Sequence, residues 1–295
     1  MKHKTFKLTA VFVAIAACGL AAQASDWSDT SIGYRTGTNF AEPFNTIAPN
    51  SIRKNILNLT HVSGYKYGTN FFNADLLMSD DKDPSAAGST SGAQEIYVVY
   101  RHTLDLGKVT GSEFKFGPVR GLGITAGFDF NTKTDKGYNS KKQMLVAGPT
   151  FMMDVPGFLN VSLLALWESN NPSVSAGAFN PGFPTSRYSY DVHPMINLAW
   201  GIPVGGSLSF EGFANFIAAK GKNETGGDTA AETNIDMQLM YDLSAVLGAK
   251  PKTFKVGVEY QYWKNKFGND TIGGIGNAGS GATANTPMVR AEYHF

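Results

Sequence analysis

One cysteine in 295 residues, Cys18, removes whole classes of chemistry at the outset. A single thiol gives neither an intramolecular disulfide nor a multi-cysteine metal site. Long apolar runs are scarce as well. Beyond the N-terminus no stretch approaches the roughly 18 consecutive apolar residues that a membrane-crossing helix requires. Charge is thin and balanced: 17% of residues are charged and the formal net charge is +1, which leaves no electrostatic case for nucleic acid as a partner. Glycine and aromatic residues, by contrast, are plentiful. The chain holds 33 glycines and is 12% aromatic, with Gly/Asn/Ser/Asp clusters throughout, the composition expected of an all-β protein with many turns.

The N-terminus carries its own signal. Lys2, Lys4 and Lys7 precede an apolar run from Leu8 to Ala17, and Ala22-Gln23-Ala24 supplies a small-x-small cleavage site, so residues 1–24 read as a bacterial secretory signal peptide. Residues 25–295 are then expected to form one domain. Cleavage after Ala24 discards Cys18 and three lysines, so 25 basic residues become 22, set against 24 acidic ones. The segment Ile15-Ala16-Ala17-Cys18 also resembles a lipobox, which keeps open an alternative reading, a surface lipoprotein acylated on Cys18. Mass spectrometry of the mature N-terminus separates the two: Ser25 supports a signal peptide, acylated Cys18 a lipoprotein.

Alternation with a period of two runs through the rest of the chain in segments of about ten residues bounded by turn residues. In one, Phe72, Ala74, Leu76 and Met78 share a face opposite Asn73 and Asp75. Further on, Leu122, Ile124, Ala126, Phe128 and Phe130 oppose Thr125, Asp129 and Asn131, and Leu159 to Trp167 repeats the pattern against Asn160, Ser162 and Glu168. The second half continues it over 188–200, 208–216, 234–243, 254–263 and 287–295. Weaker segments lie near 30–38, 54–65, 94–104 and 142–154, which brings the expected number of strands to twelve. Five short connections alternate with six long polar ones. An even-stranded antiparallel barrel with both termini on its periplasmic side requires that arrangement.

The polar faces set the direction of the alternation. They hold Asp75, Arg101, Asp129, Glu168, Asp191, Glu211, Asp236, Glu259, Arg290 and Glu292, too many charges for a dry core. The expected solution is a transmembrane β-barrel with lipid outside and water inside, girdled by Trp167, Tyr188, Trp200, Tyr241, Phe254, Tyr262 and Phe295. Twelve strands fall between a barrel filled by its own side chains and one with an open channel, so a narrow passage for small polar solutes is expected. Phe213 and Trp263 fall on the inner face among carboxylates and amides, a combination that suits planar hydroxylated solutes. The plainer reading is that these residues fill the interior.

Several segments resemble the Tsx-like family of nucleoside-specific channels of Gram-negative outer membranes. They are Ser25-Asp26-Trp27, the Phe40 and Pro43 pair after the first strand, Phe116-Gly117-Pro118, and above all Leu208-Ser209-Phe210-Glu211-Gly212-Phe213-Ala214-Asn215-Phe216. The last is similar to the family's Leu-Ser-x-x-Gly-Phe-x-Asn-Phe strand. The resemblance implies a monomeric twelve-stranded outer-membrane barrel that passes nucleosides by facilitated diffusion, without cofactor. It also implies that the aromatic after the first strand and its neighbours, here Phe40, Ala41 and Glu42, contact the solute. Two residues, Ala41 and Glu42, separate aromatic and proline here, against one in the family's aromatic-Gly-Pro. The expected lumen site then has Phe40, Phe213 and Trp263 stacking on a base, with Glu211, Asn215, Asp75 and Arg35 contacting sugar or setting the charge. A nonspecific outer-membrane barrel is the runner-up.

Other motifs point nowhere. Gly274-Ile275-Gly276-Asn277-Ala278-Gly279 spells a dinucleotide fingerprint but lacks the strand and helix that give it meaning. The run from Ser79 to Pro84 lacks the glycine and distal glutamate of a calcium loop. His61, His102, His193 and His294 have no metal-type spacing, and no Ser–His arrangement suggests an enzyme. The closing segment, Pro287 to Phe295, reads as a last strand that pairs with the first near 31–38. Its terminal aromatic resembles the signal by which barrel-assembly machinery receives its clients into a membrane of lipid and lipopolysaccharide.

Overall fold

The computed structural model describes residues 25–45, 48–173, 187–270 and 278–295. The expected leader, Cys18 and most of the 274–279 segment lie outside these. The strands are β1 (Trp27–Phe40), β2 (Ile52–Tyr65), β3 (Gly68–Ser79), β4 (Gln94–Asp105), β5 (Val119–Thr134), β6 (Gln143–Met153) and β7 (Phe158–Asn170). They continue with β8 (Tyr188–Ser189), β9 (His193–Gly205), β10 (Leu208–Ile217), β11 (Glu232–Asp242), β12 (Phe254–Lys264) and β13 (Thr283–His294). One short helix, α1 (Leu106–Thr110), follows β4.

All neighbouring pairs are antiparallel, and β13 returns to β1 with Ser31 opposite His294 and Gly37 opposite Met288. The wall therefore closes. Two-residue β8 adds only a short extension on β7, so twelve strands make the barrel, as the alternation predicts. Closure removes the free edge that would leave backbone groups unpaired in hydrocarbon. Tight hairpins sit at the end that carries both termini. Between β9 and β10 two residues suffice, and Gly206 takes the positive φ (57°) that such a turn demands. One connection departs from expectation: residues 106–118, expected to be short, include α1 and run longer than any other at this end. The remaining connections, including 41–51, 80–93 and 218–231, gather at the opposite end.

The faces sort as expected, with one instructive exception. Ile32, Leu57, Ile96, Ile124, Leu163, Ile196, Leu239, Val258 and Val289 are exposed on the outside of the wall, a lipid-facing band, while the partners between them point inward. The exception is the segment at 188–192, which the alternation places on the outside. On β7, Asn170 lies opposite Tyr188 and Ser169 opposite Ser189, but Leu166 lies opposite His193. The slip is one residue, a bulge, and one residue reverses the face. Tyr190 is therefore buried inside, with its hydroxyl donating to Glu224 Oε2 at 2.6 Å. Asp191, expected on the inner face, is exposed where the bulge passes.

A second bulge decides the fate of Phe40. Gly37 lies opposite Lys54 on β2, yet Phe40 lies opposite Ile52. The same one-residue slip turns Phe40 inward, onto the face already occupied by Arg35.

Candidate functional site in the barrel interior

The inner face is organised in levels. At mid-height Arg35 on β1 and Arg290 on β13 are directly opposed in register, an arrangement of like charges that needs a shared anion. Glu259 on β12 supplies it, at 3.3 Å from Arg35 Nε and 2.9 Å from Arg290 Nη1, with its own side chain fully buried. Arg35 also pairs with Asp75 on β3 at 2.7 Å, and Arg290 with Glu292 at 2.6 Å. His294 continues the row toward the terminal end by bonding both Asp29 and Glu292. On the other wall Arg101 pairs with Asp129, which also accepts from the Tyr97 hydroxyl.

The long-loop end is denser. Glu42, on the loop after β1, lies at 2.5 Å from Lys54 Nζ, 3.1 Å from Lys266 Nζ and 3.3 Å from Lys133 Nζ. These three lysines come from β2, from the turn after β12 and from β5, so one carboxylate ties together the two sides of the barrel. Lys133 also reaches Asp83 at 2.9 Å. A second cluster faces it, where Glu168 on β7 holds Lys220 at 2.7 Å and Lys142 at 3.3 Å. Phe267 bridges the two clusters. Its ring lies 3.8 Å from Lys142 Nζ and packs edge-on against Trp263, whose indole N–H donates to Glu232 at 2.6 Å. The turn that delivers Lys266 and Phe267 is strained: Asn265 and Phe267 have φ of 51° and 61°, conformations that cost about 1–3 kcal/mol each and persist only where surroundings impose them.

At the long-loop end the interior is packed. Apolar patches line opposite walls, Phe40, Ile52, Ile56 and Met288 on one and Val146, Leu164, Leu166 and Met195 on the other. Between them most ionic side chains of the loop-end clusters are less than 10% exposed. Pairing the loop-end charges with partners from other strands and loops makes the exclusion of water tolerable there.

The candidate site residues divide accordingly. Arg35, Asp75 and Phe213 lie at mid-height, Phe213 opposite Asp236 and Ala199. Asn215 accepts from Asn197 at 2.7 Å one step nearer the loops. Glu211, nearer the terminal end, accepts from Ser209 and Lys255. Phe40 and Trp263 sit among the loop-end clusters, so the three aromatics do not form one stacking platform. Missed altogether by sequence reasoning were Lys54, Lys133, Lys142, Lys220 and Lys266, which fall at strand ends and in loops where alternation gives no direction. Among the described residues no His/Cys/Asp/Glu cluster suits a metal ion. A groove of about 870 Å³ near β13 is lined chiefly by outward side chains such as Tyr34, Leu239, Val258 and Val289, the wrong surface for a polar solute.

Two loop-end groups give the mouth a pH dependence. Burial lowers Lys266 to about 8, and nearby Lys54 and Lys133 push the same way while Glu42 opposes them. Burial alone would raise the Glu42 carboxyl, but Lys133, Lys266 and Lys54 override it and hold it well below the usual carboxylate range. The closed arrangement thus binds fewer protons than an open, solvated one in two windows. Raising the pH from about 8 toward the ordinary lysine value of 10.5 favours closure through Lys266. Lowering it below 4.5 progressively removes the stabilisation from Glu42. If the barrel conducts, as proposed below, these two groups should make conductance across a planar bilayer fall in the first window and rise in the second, with Lys266→Met flattening the alkaline limb and Glu42→Gln the acid limb.

The architecture so described is a closed twelve-stranded antiparallel barrel with an apolar exterior. No protein-family model and no curated protein sequence matches the chain. Among solved structures it is similar to the KdgM porin, at 10% identity and a TM-score of 0.41 over 90% of this chain and 99% of that one. It is similar also to the NanC porin, at 10% identity and a TM-score of 0.40 over 90% and 99%. The translocator domain of autotransporter NalP from Neisseria meningitidis aligns at 11% identity and a TM-score of 0.45 over 97% and 94%. Porins and a translocator both appear in this group, so the likeness is one of architecture.

Proposed function

We propose that the chain is an outer-membrane channel of a Gram-negative bacterium for the passive diffusion of small polar solutes. The observation that carries this reading is the division of the closed wall into an exposed apolar exterior and an interior lined with ionisable side chains from one end to the other. Buried ion pairs are on balance no more stabilising than well-packed apolar residues, so stability alone does not account for such an interior. Both termini face the periplasm in this reading, and the barrel works as a monomer in lipid and lipopolysaccharide.

Nucleosides are the solute class that the Leu208–Phe216 segment favours. Phe213 offers a ring face at mid-height beside Asp236 and, one strand further, Gln261, acceptors and donors for sugar hydroxyls. Purified protein in planar bilayers should give discrete ion currents that adenosine or thymidine reduces, and Phe213→Ala should weaken that block by roughly 5- to 10-fold, the loss of about 1–1.5 kcal/mol of stacking. Currents indifferent to every nucleoside would leave a channel of another specificity. Absence of current from folded, inserted protein would sink the channel itself.

A further inference from the structure

The Glu42 cluster holds three ammonium groups around one carboxylate, and the carboxylate is the only one of the four groups carried between β1 and β2 rather than on a strand or the turn after β12. Among the described residues Lys54 has Glu42 as its sole ion-pair partner, and Lys266 has Glu42 and the Ala41 carbonyl oxygen at 2.7 Å. Lys133 has two further carboxylates, Asp83 at 2.9 Å and Asp135 at 3.9 Å, and Glu95 lies near enough to act on both Lys133 and Lys266. Swinging Glu42 out therefore leaves Lys54 and Lys266 without an ion pair among the described residues, while Lys133 keeps Asp83 and Asp135. A site in that condition attracts an anion of the same shape as the one that left. Rings line it: Phe40 lies 5.7 Å from Lys54 Nζ, and Trp263 lies 4.9 Å from Lys266 Nζ.

We propose that Lys54, Lys133 and Lys266 form a binding site for the carboxylate of an entering solute, and that Glu42 is a resident stand-in which closes the mouth until such a solute displaces it. The inference rests on the channel reading but not on its nucleoside form. It accounts for the position of Glu42 at the one place where a single side chain joins β2, β5 and the turn after β12.

The test compares gluconate with sorbitol, six-carbon polyols that differ at the carboxylate, in liposome swelling with the full-length protein, whose folding is followed by heat-modifiable mobility in gels. Wild type should admit potassium gluconate at least about 3-fold faster than sorbitol, once the rate in protein-free liposomes is subtracted. Lys54→Gln/Lys266→Gln should bring the ratio to about one. In planar bilayers under a KCl gradient, Glu42→Gln should at least double the conductance and move the reversal potential toward that of chloride, because two lysines lose their counter-ion. Glu42→Asp, which keeps the charge, should behave nearly as wild type. The proposal is overturned if the double lysine variant keeps the wild-type ratio, or if Glu42→Gln changes neither conductance nor reversal potential. Should wild type pass sorbitol with no preference for gluconate and Glu42→Gln be silent, this inference fails and the channel stands. Should folded wild type and Glu42→Gln both pass neither ions nor solutes, the channel reading fails with it.

Discussion

Val258→Arg should destabilise the inserted barrel by about 2–4 kcal/mol, the measured range for a guanidinium on the lipid face of a barrel near the bilayer midplane. Val258 is 58% exposed on the outside of β12, flanked in the ladder by Leu239 and Val289. All three are apolar and exposed, so an arginine there finds hydrocarbon in every direction and no acceptor to reach. Substituting inward-facing Gln261, three residues along the same strand, places the same charge beside Asp236, to which Gln261 now donates. Urea titration in lipid vesicles should show a large drop for Val258→Arg and a much smaller one for Gln261→Arg. Equal effects would mean that the wall does not meet lipid.

That contrast depends on a pattern that local sequence encodes. In β3, β5, β7, β10, β11, β12 and β13 alternation alone places every named side chain on its observed face, because a strand's period of two is a property of the backbone and lipid imposes it on one side. The misplacements fall at bulges. Tyr190 and Asp191 are assigned to the wrong surroundings since a one-residue slip against β7 leaves no mark in the composition of the segment. The interior was legible in kind and not in pairing. Arg35 and Asp75 are 40 residues apart, and Lys133 on β5 meets Glu42 on the loop after β1. Register and the curvature of the closed sheet bring such partners together, and neither follows from the residues of any one strand. The lysines of the mouth were harder still, as loops obey no period.

The Arg35–Glu259–Arg290 group shows how far this hidden pairing matters for stability. Opposed arginines repel, and each has a second carboxylate, Asp75 for Arg35 and Glu292 for Arg290, but among the described residues only Glu259 forms an ion pair with both. Its side chain is fully buried, whereas the Lys222–Asp228 pair in the loop after β10 is 54% and 84% exposed. Charges withdrawn from water depend wholly on their partners, so Glu259→Met should cost about 3–5 kcal/mol, as removal of one member of a buried ion pair does elsewhere. Asp228→Ala should leave the unfolding midpoint where it was, because an exposed pair gains little that water does not already provide. Pairing Glu259→Met with Arg290→Met tests the cause. If unrelieved repulsion between the two arginines is what destabilises the single variant, the double variant should recover a large part of the loss, since it leaves Arg35 with Asp75 and no opposing cation. A double variant as weak as the sum of its parts would assign the loss to packing around Met288 and Gln261 instead, and the arginines would then be separated well enough by the wall itself.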